Sequence, residues 1–147
     1  MTRREFTSAA FGFLLLAFLA PGSPLQAHHG SAVSYDLSKQ VTLKGTVTEM
    51  VWSNPHVFIM FDVPDEQGKA VNWGAETHPP AGMRRNRVAD VALPWTAETL
   101  KAGDKVTITL FPSRVGAARG LLAKVVDGAG KVLLDDGDGR NRGGGNQ

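Results

Sequence analysis

Residues 41 to 52 read VTLKGTVTEMVW, and their side chains alternate between apolar and polar. Val41, Leu43, Val47 and Val51 fall on one face, with Thr42, Lys44, Thr46 and Thr48 on the other. A period of two marks a strand with one face buried and one wet, because successive side chains point to opposite sides of a sheet. The same alternation returns at residues 105 to 111, with Val106, Ile108 and Leu110 expected inward. Helical periodicity is scarce along the chain. The expected class is therefore all-β.

The intervening segments fill out the pattern. Ser53-Asn54-Pro55 interrupts the first strand, and residues 56 to 63 (HVFIMFDV) read as a second. Asp65-Glu66-Gln67-Gly68 has the composition of a hairpin turn and leads to a third strand over residues 70 to 76. Residues 77 to 95 hold Pro79, Pro80, Gly82 and Pro94 without a clear period, which predicts a long loop. Thr96 is placed to cap a short helical turn through Leu100, ended by Gly103. Residues 121 to 126 and 132 to 134 add further strands around a turn at Asp127-Gly128-Ala129-Gly130. Five to six short strands and one helical turn fit a small antiparallel barrel. An oligonucleotide/oligosaccharide-binding-like barrel is the first choice and an immunoglobulin-like sandwich the second.

The N-terminus bears on where this domain works. Arg3 and Arg4 precede an apolar run from residue 9 to residue 20, and Leu25-Gln26-Ala27 ends on a small residue. That order of charged head, apolar stretch and small residue is a cleavable export signal. The run is shorter than the roughly 20 residues a membrane-spanning helix needs. The expectation is a periplasmic or secreted protein without a stable membrane anchor. Thr2-Arg3-Arg4-Glu5-Phe6 further matches the twin-arginine type of signal. The chain then divides into a signal peptide over residues 1–27, a barrel domain over 28–134 and a Gly- and Asp-rich tail over 135–147, expected to be disordered.

Removing 27 of the 147 residues leaves 120, enough for one modest core. Arg3, Arg4 and Glu5 leave with the signal, so the formal charge falls from +2 to +1. Nucleic acid is not an expected partner of so nearly neutral a domain. The sequence contains no cysteine, which excludes disulfides, thiolate metal sites and cysteine nucleophiles.

Four histidines carry what chemistry the sequence offers: His28, His29, His56 and His78. Cleavage after Ala27 makes His28 the first residue. Its α-amine, with a pKa near 8, and its imidazole can then chelate one metal ion together, and His29 can add a third nitrogen. Nitrogen donors favour Cu(II), with zinc and nickel behind. His56 stands at the corner Trp52-Ser53-Asn54-Pro55-His56, and His78 follows Glu76 by two residues. A hairpin about Gly68 brings His56 near Glu76 and His78, so the candidate metal residues are His28, His29, His56, Glu76 and His78. The competing reading is a strand-end cluster of hydrogen bonds without metal.

His28-His29, Tyr35-Asp36, the run from residue 41 to residue 63 with its Trp-x-Asn-Pro-His corner, Trp73, Glu76 and Gly103-Asp104 resemble a domain-of-unknown-function family of small exported bacterial proteins. The resemblance extends from about His28 to Leu134. It implies export and a β-barrel and leaves the activity open. Gly30 between the histidine pair and Ser31, and the loop over residues 77 to 95, depart from the family pattern.

Other motifs carry less. Arg84-Arg85-Asn86-Arg87 lacks the interleaved aromatics of a nucleic-acid groove and reads as a solvated loop, or else a patch for an anionic partner. Asp135-Asp136-Gly137-Asp138-Gly139 lacks the alternating ligands and closing Glu of a calcium loop. Ser31 and Ser34 belong to no nucleophile motif. Three function classes follow. The first is a periplasmic copper-binding carrier or accessory module. The second is a metal-free barrel that binds another exported protein or a small ligand. The third is an enzyme, copper-dependent and built on the N-terminal histidine, and it is the least supported because no catalytic constellation is present.

Overall fold

The structure, a computed structural model, describes residues 31–137. The segment read as an export signal, the His28-His29 pair and the tail beyond Gly137 lie outside the described residues. A helical turn α1 (Ser31–Ser34) precedes the strands β1 (Val41–Val51), β2 (Phe58–Pro64) and β3 (Ala70–Glu76). A second helical turn α2 (Pro80–Met83) and a two-residue hairpin, β4 (Arg87–Val88) and β5 (Val91–Ala92), follow. The chain then forms β6 (Lys105–Pro112), β7 (Arg119–Asp127) and β8 (Val132–Asp135). Among the described residues no helix is long and apolar enough to cross a membrane.

β1 is the hub. Its first half pairs with β6 and its second half with β2, both antiparallel. β2 pairs with β3 and β6 with β7, also antiparallel. The ring closes where Gly74, Ala75 and Glu76 meet Arg119, Gly120 and Leu121 in parallel. The result is a closed five-stranded barrel with β8 added at the edge of β7. The connectivity is that of the oligonucleotide/oligosaccharide-binding-like barrel, not of a sandwich, and it is antiparallel everywhere except at the closing pair. That exception is topological: β3 and β7 are separated by a long crossover, which a parallel pair requires.

Two turns are built alike. Asp65 Oδ1 accepts from the N–H groups of Gln67 and Lys69, and Gly68 takes a positive φ of 80°. Asp127 Oδ1 accepts from Ala129 and Lys131, and Gly130 takes a φ of 86°. The expected hairpins are thus in place for the expected reason: an aspartate closes the turn and a glycine takes the left-handed residue.

The alternation of β1 holds only to Val47. Val47 pairs with Phe61 and Glu49 with Met60, so Thr48 is an extra residue in a bulge. A bulge shifts the phase of everything beyond it. Met50 and Trp52 therefore pack against the core, and Val51 stands opposite Phe58 on the outer face, not inward as the period predicted. Gly45 marks the tightest approach in this strand. A Cβ there would stand 2.5 Å from the Asp62 carbonyl oxygen and 2.8 Å from the Phe61 ring.

The largest departure concerns residues 77 to 95. Instead of a surface loop, this segment forms α2 and the β4–β5 hairpin and closes one end of the barrel. Met83 and Trp95 are fully buried in the main core with Ile59, Phe61, Ile108 and Leu122. The Trp95 indole N–H donates to the Leu133 carbonyl at 2.9 Å, and Asn86 Nδ2 donates to the same oxygen and to Leu93 O. The segment reads as a loop because its buried residues are too few and too widely spaced to show a period. Thr96 does not start a helix. Its hydroxyl accepts from Glu98 N–H in a local turn, and the helical pieces lie at Ser31–Ser34 and Pro80–Met83.

A second, smaller core lies outside the barrel. Tyr35, Phe111, Leu121 and Ala123 are buried together, with Leu37 at their margin. Asp36 N–H donates to Pro112 O, and Arg114 N–H to Ser34 O. The N-terminal segment is thereby laid across β6 and β7, beside the seam where β7 meets β3.

Candidate functional site

The seam places one carboxylate between two partners. Glu76 is the last residue of β3, opposite Phe58 on β2 and beside Leu121 on β7. Ile59 and Ala75 point inward, so Glu76 points out. Its Oε1 lies 2.6 Å from His56 Nδ1, and its Oε2 accepts a short hydrogen bond from the Tyr35 hydroxyl. The corner Trp52-Ser53-Asn54-Pro55-His56, with a cis Asn54–Pro55 peptide, carries the chain from β1 to β2 and sets His56 at the seam.

Donor and acceptor roles follow from the carboxylate, which only accepts when ionised. His56 therefore carries a proton on Nδ1, and its Nε2 is left outside this contact on a side chain that is 44% exposed. No partner for Nε2 is present among the described residues. The Tyr35 phenol is held well above its ordinary range, first by burial, then by its hydrogen bond to Glu76 and by that group's charge, with Arg119 opposing. Tyr35 thus stays a donor through the physiological range and locks one oxygen of Glu76 while His56 takes the other.

The other predicted residues separate. The His78 backbone runs beside the corner, its carbonyl accepting from Val57 N–H at 3.1 Å. Its imidazole reaches elsewhere, with Nε2 3.1 Å from Asp136 Oδ2. The structure brings together His56 and Glu76 from the predicted set and pairs His78 with the start of the tail. No group of three His, Cys, Asp or Glu side chains able to hold a metal exists among the described residues. His28 and His29 lie outside them. Tyr35 is the residue that sequence reasoning missed as part of a site. It is the sole tyrosine of the chain, yet no spacing in the sequence connects it with Glu76.

Asp135 ends β8. Lys124 Nζ lies 2.9 Å from its Oδ2, and that hydrogen bond holds its carboxyl below the usual range. Arg84 stacks 5.7 Å from the Trp52 ring centroid, close enough for a cation–π contact.

Fold and site together define a small closed β-barrel whose seam carries an outward histidine–carboxylate pair, tied to the N-terminal segment by a tyrosine. The chain belongs to the Family of unknown function (DUF6152), whose model matches residues 17–123. No curated protein and no solved structure matches the chain significantly.

Proposed function

We propose that this protein is an exported, periplasmic metal-binding module, with copper preferred, that serves as a carrier or accessory to another exported protein. The observation that carries the reading is the His56–Glu76 pair. A histidine that donates one ring N–H to a carboxylate and keeps the other nitrogen open is the usual arrangement of a metal-ligating imidazole. In this reading Glu76 orients His56 and is not itself a ligand.

The remaining donors are the α-amine and imidazole of His28 and the imidazole of His29, freed by cleavage after Ala27. Chain geometry supports their joining His56. His29 precedes Tyr35 by six residues, and with Ser31–Ser34 in the α1 turn that stretch reaches at most about 15 Å. Tyr35 and His56 bond opposite oxygens of the same carboxylate. Four nitrogen donors suit Cu(II) in a tetragonal site.

Titrating Cu(II) against a competing chelator tests the proposal, on protein beginning at His28 and on protein carrying one extra N-terminal Met or Gly. The native terminus is expected to bind one Cu(II) much more tightly, and His56→Ala and His29→Ala to weaken it. Paramagnetic resonance should then count one nitrogen fewer in His56→Ala. Equal affinity for the two termini would remove His28 from the site and leave a metal-free barrel that binds a protein partner or small ligand.

A further inference from the structure

The basic run at residues 84 to 87 acquires a specific surrounding in the fold. Its three arginines separate. Arg84 lies over Trp52, while Arg85 and Arg87 line a cleft of about 240 Å³ together with His78, Gly82, Asn86 and Asp136. Neither Arg85 nor Arg87 forms a salt bridge with a carboxylate among the described residues. Arg87 donates to the backbone carbonyl of Asp90. Asn86 is spent on the carbonyls of Leu93 and Leu133, which pins the backbone between the two arginines. The cleft thus combines two guanidinium groups and an imidazole on a backbone anchored to β8.

One anion already stands in it. Asp136 Oδ2 lies 3.1 Å from His78 Nε2, and Asp136 is held there by its own N–H, which donates to Ala123 O at 2.8 Å. A carboxylate of the chain itself accepting from a residue of a basic cleft indicates what chemistry the cleft accepts. Guanidinium groups match planar or tetrahedral oxyanions through paired N–H donors. Pockets for drug-sized ligands run from about 300 Å³ upward, so this one suits a small anion.

We infer that the cleft formed by His78, Arg85 and Arg87 is a binding site for a small, multiply charged oxyanion, a phosphate or a dicarboxylate, with Asp136 as the built-in competitor at the imidazole. This inference does not depend on the metal reading. Mutating a cleft arginine moves it and leaves His56 untouched.

Calorimetric titration of the mature protein with inorganic phosphate in one arm and succinate in the other tests the site and separates the two sources. Saturable one-to-one binding of at least one of them is expected. Arg85→Gln should weaken it about ten-fold or more, since a charge-assisted hydrogen bond is lost. Asp136→Asn should strengthen it, because the competing charge is removed. Both positions are partly or fully solvent-facing, and circular dichroism of each variant checks that the barrel remains folded. Absence of saturable binding in both arms overturns the inference, and so does binding indifferent to Arg85→Gln. Weaker binding in Asp136→Asn would also overturn it, because Asp136 would then be assisting the anion instead of competing with it.

Discussion

Tyr35 donates its hydroxyl hydrogen to Glu76 across 41 positions of sequence, and that bond ties the N-terminal segment to the closing seam of the barrel. The same carboxylate accepts from His56, so one side chain of β3 joins the corner before β2 to the segment that precedes β1. Packing of Tyr35 with Phe111, Leu121 and Ala123 supplies the apolar half of the same attachment.

Because Tyr35 is the only tyrosine, phenolate absorbance reports it alone. Its pKa is raised in the folded state, so folding favours the protonated form. The stabilisation is fully present below the unfolded value of about 10 and is lost as pH rises beyond it. The phenolate signal should therefore appear well above pH 10. Glu76→Gln should lower the midpoint without restoring the ordinary one, because burial is the larger cause. A native midpoint near 10 would contradict the buried, hydrogen-bonded phenol.

Glu76→Gln also tests the orienting role. An amide accepts from His56 more weakly and carries no charge. Loss of a carboxylate behind a metal-ligating histidine typically costs 10- to 100-fold in affinity, and a drop of about that size in Cu(II) affinity is expected. Unchanged affinity would detach Glu76 from the site.

The bulge in β1 separates two valines that sequence placed together. Val47 is 1% exposed in the core, so Val47→Lys buries an unpaired charge and should destabilise by a few kcal/mol, roughly 3. Val51 stands opposite Phe58 on the outer face, and Val51→Lys should cost about 1 kcal/mol or less. Urea denaturation of the two variants gives the comparison. Equal losses would mean that the phase does not change at Thr48.

Trp95 closes the barrel end. Trp95→Ala removes a fully buried indole and should cost about 3–5 kcal/mol. Trp95→Phe keeps most of the apolar volume but drops the donor to Leu133 O, and should cost less. A Trp95→Ala variant as stable as the native protein would show that the segment from 77 to 95 is only laid against the barrel.

Local chemistry alone made much of this protein legible. The strand periods at residues 41 to 47 and 105 to 111, and the two aspartate–glycine turns, depend on neighbours in sequence. They appear in the structure where the sequence predicts them. The His56–Glu76 meeting was also readable, because a hairpin about Gly68 brings its far ends together. The rest required the closed fold. Val51 changed face because pairing with β2 inserts Thr48 as an extra residue, which no alternation encodes. Met83 and Trp95 became core because an open barrel end had to be filled, not because their own segment has a period. His78 turned to Asp136, and Tyr35 to Glu76, through contacts 58 and 41 positions apart. Such pairings are set by how the ring of strands closes, and closure is a property of the whole barrel that no single stretch of sequence contains.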